Sequence, residues 1–131
     1  MSTVRPSNYI ENFLNFVDQC KTDYQNAVNA VEEADRKELQ DLVHEMEFAK
    51  DKKERNRIAT KLHNSRVERR KNKDIVDELK DIVAFFDEQN HKNTLNKTRQ
   101  LLGKQRKTEE YVHGERVYKP RKGAVKDGHP N

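Results

Sequence analysis

The chain has 131 residues, 38% charged and 32% hydrophobic, with 4 Gly, 3 Pro, no Trp and a formal net charge of +4. That length holds one small domain rather than two independent cores, and so little Gly and Pro argues against sandwiches and barrels and for helices. Cys20 is the single cysteine, which excludes an intramolecular disulfide framework. Met1 to Ile10 lacks a basic region followed by an apolar core, and no run approaches the roughly 18 apolar residues of a membrane span. The expectation is a cytoplasmic protein with no membrane contact.

Charge is segmented. Residues 1–49 carry 4 Lys/Arg against 10 Asp/Glu, and residues 50–73 carry 11 against 3. Residues 74–91 carry 1 against 6, and residues 92–131 carry 11 against 4. The small net charge therefore conceals two strongly basic stretches, which can draw polyanions or pair with acidic blocks of the same fold or of a partner.

Ser7 or Asn8 is placed to cap a helix beginning near Tyr9. From there Ile10, Phe13, Val17, Cys20, Tyr24, Ala27, Val31 and Ala34 alternate three and four apart, which predicts a helix over 9–33 with an apolar heptad seam. Leu14, Phe16 and Val28 widen that stripe. Position 38, due to be apolar, is Glu38, and Leu39 takes over the pattern. Asp35 with Glu38 has the form of a capping box, which predicts a tight turn near 34–36; one continuous helix with a frame shift is the competing reading. Leu39, Leu42, Val43, Met46 and Ala49 continue a helical stripe into the basic block, where Ile58, Ala59, Leu62 and Val67 are the apolar anchors.

Heptads counted back from Val76, Leu79, Val83 and Phe86 put Arg69 on the seam, with Ser65 and Asn72 near it. A buried Arg is costly unless paired, so the helix is expected to leave the bundle or kink over 63–73 and return at Ile75–Phe86. Residues 89–93 form a polar break before a shorter helix carrying Leu95, Thr98, Leu101 and Leu102, ended by Gly103 or running on to about His113 at a cost of about 1 kcal/mol for the glycine. Tyr111-Val112 and Val117-Tyr118 flank Gly114-Glu115 in a pattern that suits a short hairpin or a shapeless arm. The domain is set at 1–119, and the basic tail 120–131 is expected to be disordered.

No catalytic signature emerges. His44-Glu45 opens a zinc-protease pattern, but position 48 is Phe48, and the other histidines have no ligand partner at metal spacing. Asp77-Glu78-Leu79-Lys80 has the letters of a nuclease element but lies on the polar side of a helix, where such residues are ordinary. Neither enzyme activity, metal nor cofactor is expected.

The basic stretches offer more. On a helix Lys50, Lys53, Arg57 and Lys61 form one stripe, and Lys52, Arg55, Arg66, Arg69, Arg70 and Lys73 form a broad opposite arc. A second cluster is Lys104, Arg106, Lys107, Arg116, Lys119, Arg121 and Lys122, with Tyr111 and Tyr118 interleaved where they can stack on bases. The candidate binding residues are Arg55, Arg66, Arg69, Arg70, Lys73, Lys104, Arg106, Lys107, Arg116, Lys119 and Arg121. The competing reading is a solvated helix with pairs such as Glu54 with Arg57, neutralised by the acidic first helix.

Residues 61–121 resemble small, largely uncharacterised proteins of bacteriophages and prophages of Gram-positive bacteria. The likeness rests on 61–70, on Lys73-Asp74-Ile75-Val76, on Leu101-Leu102-Gly103-Lys104 and on Val117-Tyr118-Lys119-Pro120-Arg121. It implies a helical phage accessory protein in a host cell and assigns no chemistry.

The fold expected is all-α: an antiparallel helical hairpin or small bundle with coiled-coil character, a long basic helix and a basic C-terminal arm. The function expected is non-enzymatic binding of nucleic acid or a nucleoprotein complex through two basic patches. Its alternatives are a protein-only inhibitor docking on an acidic host protein, such as a defence nuclease, and an oligomeric assembly factor. Long heptad stripes on a short chain lead to the expectation of a homo-oligomer.

Overall fold

A computed structural model describes residues 4–115, and 92% of that span is helical with no strand. The fold is the all-α hairpin that the heptads require. Four α-helices carry it: α1 (Pro6–Arg36), α2 (Val43–Glu47), α3 (Lys52–Asp87) and α4 (Gln89–His113). A π-helical stretch, Lys37–Leu42, joins α1 to α2 without a turn.

Pro6 occupies the first turn of α1, where its missing N–H is no loss. Arg5, the residue at the cap position, supplies no side-chain bond. Neither Ser7 nor Asn8 caps the helix as expected. Ser7 lies inside the helix and is buried, and its N–H and hydroxyl both donate to Glu109 of α4, the N–H at 2.9 Å. A carboxylate 102 residues away thus takes the place of the missing cap.

The turn expected near 34–36 is absent; the helix continues through it. No Gly or Pro interrupts 7–47, and the frame shift is absorbed by the wider π-turn, in which Val43 N–H bonds back five residues to Glu38 O. Glu38 stays on the seam and is 7% exposed, whereas Leu39, assigned to the seam by pattern, is 74% exposed. Chain reversal happens instead at 48–51. There Asp51 caps α3 by accepting from the Glu54 N–H at 2.8 Å, and the Glu54 carboxylate reaches back to the Lys50 N–H at 3.4 Å. That reciprocal pair is a capping box with Asp in the Ser/Thr role.

α3 neither leaves the bundle nor kinks over 63–73. It runs 36 residues unbroken, and the polar middle of its seam meets polar partners on α1 and the π-stretch. The break before α4 is one residue, Glu88, with an extended backbone (φ −65°, ψ 141°), rather than the polar run 89–93. His91 closes the joint by packing flat on Phe85 (ring centroids 3.9 Å apart, 22° between planes) and placing Nδ1 2.6 Å from the Phe85 carbonyl oxygen. α4 then passes through Gly103 to His113. Tyr111 and Val112 are therefore helical, and no hairpin begins there. The residues expected as its second half, Val117-Tyr118, and the tail 120–131 lie outside the described residues.

α1 is the common partner. α3 packs along most of it, antiparallel, while α4 packs on its first half and has less contact with α3. Pairs of α1 with α4 run in reverse chain order: Ser7–Glu109, Glu11–Arg106, Asp18–Arg99. Where the three helices meet, Leu14, Val17 and Leu95 are buried together with Ile10, Phe86 and Leu102 packed around them. Elsewhere the interior is a seam one side chain deep, with Cys20, Ala27, Leu42 and Ile58 buried.

Two predictions test this packing. Val17 is 1% exposed, so Val17→Asp buries an unpaired charge and should destabilise the fold by at least about 3 kcal/mol; an unchanged melting temperature by circular dichroism would show that the seam is misplaced. For Glu109, burial alone would raise the carboxyl pKa, but the Ser7 hydrogen bonds, helped by Gln105 and Arg5, hold it below its ordinary value. A depressed carboxyl stabilises above its ordinary pKa and loses that contribution as pH falls through the lowered value. Glu109→Gln should therefore melt several degrees below wild type at pH 7, and the two curves should converge below about pH 4.

Candidate nucleic-acid interface

The candidate residues come from two helices. On α3 they occupy positions between the seam and solvent, and their geometry follows from the register against α1. The Arg66 Nη1 stands 3.1 Å from Glu38 Oε2, and the Ser65 hydroxyl donates to the other Glu38 oxygen at 3.2 Å. Arg69 holds Asp35 through Nε at 2.6 Å and through its second nitrogen at 3.5 Å. The hydrogen bond from Asp35 and its charge raise the Arg69 pKa further, so this guanidinium is permanently cationic and permanently occupied. Lys73 pairs within its own helix with Asp77 at 3.4 Å.

On α4, Arg106 reaches Glu11 at 2.6 Å. Arg99, outside the candidate set, reaches Asp18 at 3.6 Å. The acidic first block is thus the counter-surface of both basic stretches, and Arg66, Arg69, Lys73 and Arg106 are engaged in the fold. Arg55, Arg70, Lys104 and Lys107 make no ion pair among the described residues. Arg116, Lys119 and Arg121 lie outside the described residues.

The largest uncompensated run was not in the candidate set. Lys50, Lys52, Lys53, Arg55, Arg57 and Lys61 are six cations in twelve residues, with only Asp51 and Glu54 among them. Both acids are occupied by the cap that starts α3. Glu54 therefore does not pair with Arg57, as the solvated-helix reading supposed. All six cations are exposed at the closed end of the hairpin. The sequence signal for this was the capping box itself, which removes the two local carboxylates from the charge balance.

The two basic groups do not form one surface. Arg55 and Phe86 are separated by about 45 Å of helix. Phe86 contacts Phe13 (ring centroids 5.9 Å apart), two residues from the Glu11 that holds Arg106. The α3 run and the α4 cluster hence lie near opposite ends of the hairpin.

Among the described residues no three His, Cys, Asp or Glu side chains converge as a metal site, and no helix is long and apolar enough to cross a membrane. His44 packs against Phe48 at 4.9 Å between ring centroids. No known family, curated protein or solved structure matches this chain.

A difference in thermal behaviour separates structural from free cations. Arg69→Gln leaves Asp35 unpaired at the seam and should lower the melting temperature, whereas Arg70→Gln should leave it unchanged. Equal melting temperatures for both variants would show that the Asp35–Arg69 pair contributes nothing to the fold.

Proposed function

We propose that this chain is a non-enzymatic, self-associating binding protein that engages nucleic acid, or a nucleoprotein complex, through the free cations at the start of α3. The observation that supports this is the run Lys50 to Lys61, whose cations no carboxylate compensates. Cations fixed on a rigid helix and separated by one or two turns can each neutralise a phosphate and release its condensed counterions. Lys104 and Lys107, at the other end of the hairpin, add a second and weaker point of contact for a long polyanion. Two such points about 45 Å apart span about 13 base pairs of duplex at 3.4 Å each. The resemblance of 61–121 to small phage-encoded proteins supports a phage accessory setting in a host cell.

A second reading, inhibition by docking on an acidic host protein, is favoured by one observation. Leu39, Val43 and Phe48 are exposed on the stretch that leads into the cations. An apolar patch next to a basic one suits a protein surface better than a phosphate backbone.

Neutralising Lys52, Lys53, Arg55 and Arg57 together to Gln tests the leading reading, because none of them holds the fold. Affinity for generic duplex or single strand should drop for every sequence, and the slope of log K against log salt should flatten by about 3, from 0.7–0.9 for each lost contact. A wild type that binds neither DNA nor RNA at low salt would sink this reading and move the inhibitor reading ahead.

A further inference from the structure

The side of α1 that α4 leaves bare differs in kind from the rest of the surface. In a chain that is 38% charged, residues 6–31 hold only four charges: Glu11, Asp18, Lys21 and Asp23. Glu11 and Asp18, seven residues apart on one flank, are the two that hold α4. Tyr9 and Phe16, also seven apart, stand about 200° around the helix from them. What remains between is uncharged, with five Asn and two Gln in the same 26 residues.

α3 extends this flank. Asp23, seven residues beyond Phe16, lines one groove with Ile75 of α3, and Ile82 and Phe85 follow Ile75 at seven and ten residues, on the same side. Phe13 and Phe85 both contact Phe86 edge-on, at 5.9 and 5.0 Å between centroids. Four of the chain's five phenylalanines thus gather at one end of the hairpin. Tyr9, Phe13, Phe16, Ile75 and Phe85 are each more than a third exposed.

We infer that this flank is the interface of a two-fold homodimer, with Tyr9, Phe13 and Phe16 of each copy packed on the same face of the other. Aromatic enrichment together with charge depletion is the composition of an interface core, not of a solvated helix. The occupant follows from charge. A face without net charge offers nothing to an oppositely charged partner, but it matches another uncharged face, and a second copy supplies an identical one in isologous contact. The size is adequate too. Two helices wide and 26 residues long, the flank measures about 20 by 40 Å, or about 800 Å² per copy, which is the area of a stable dimer interface. The α3 cations and α4 stay outside it.

This inference rests on the reading of the chain as self-associating, not on nucleic-acid binding. A mass measurement tests the one and a salt slope the other, so either can fail alone. Sedimentation of the full chain between 1 and 200 µM (about that range, spanning interface affinities) should give twice the 15.5 kDa of the chain at the upper end. Phe16→Glu, at a half-exposed position, should raise the dimer dissociation constant at least about 30-fold with helix content unchanged. Leu39→Glu, equally exposed but off the flank, should leave the dimer intact. A wild type that stays monomeric throughout overturns the inference, even if Phe16→Glu cannot be purified. So does a dimer that Phe16→Glu leaves unchanged, or one that Leu39→Glu dissolves instead.

Discussion

Everything in this fold depends on the acidic face of α1 and the π-stretch meeting two basic helices. With a seam one side chain deep, apolar burial alone gives register little precision, because sliding one helix by a heptad exchanges one small hydrophobe for another. The pairs Asp35–Arg69 and Glu38–Arg66 remove that freedom. A heptad slip would leave Glu38, which is nearly buried, without its guanidinium and its serine, and an uncompensated buried carboxylate is far costlier than a mismatched alanine. Arg106 and Arg99 place α4 by the same means. The pairs at the surface add little stability one by one; their role is to choose one alignment among several of similar apolar content.

Much of the fold was legible because the heptad from Ile10 to Ala34 is nearly free of exceptions, and the frame counted back from Phe86 survives to Ile58 in the structure. Two misreadings share one cause. Glu38 was taken as the end of the seam and Arg69 as a reason for α3 to leave it. Each was judged alone against an apolar template, although two seam positions of opposite sign on successive helices describe a pair. The turn was misplaced for a related reason. Asp35 to Glu38 and Asp51 to Glu54 fit the same capping box, and only knowledge of which carboxylates serve as counter-ions tells them apart. The hairpin expected at Gly114 failed because Tyr111 and Val112 follow directly on Glu109, which must be helical to reach Ser7.

The candidate site was legible as charge but not as availability. Counting lysines and arginines finds the basic blocks, yet whether Arg66 is free depends on a residue 28 positions earlier. Arg-rich 66–70 looked the better anion site since guanidinium forks suit phosphate, and the same property makes them the better partners for Asp35 and Glu38. The lysine-rich start of α3, lower in geometric specificity, is what the fold leaves uncompensated. The uncharged flank of α1 was visible as a widened stripe, though only the position of α4 reveals which part of it stays uncovered.

The long-range cap on α1 gives the chain an order of events as it is made. The first turn of α1 emerges early during synthesis, with Pro6 and Arg5 unable to close it. The carboxylate that does so is 102 residues behind, which at 5–20 residues per second is a delay of about 5 to 20 s. During that interval the start of the protein is its least protected part, open to unfolding and to proteases although α3 already lies along most of α1. Closure comes from the penultimate turn of α4, so the beginning of the molecule is secured only when nearly all of it exists.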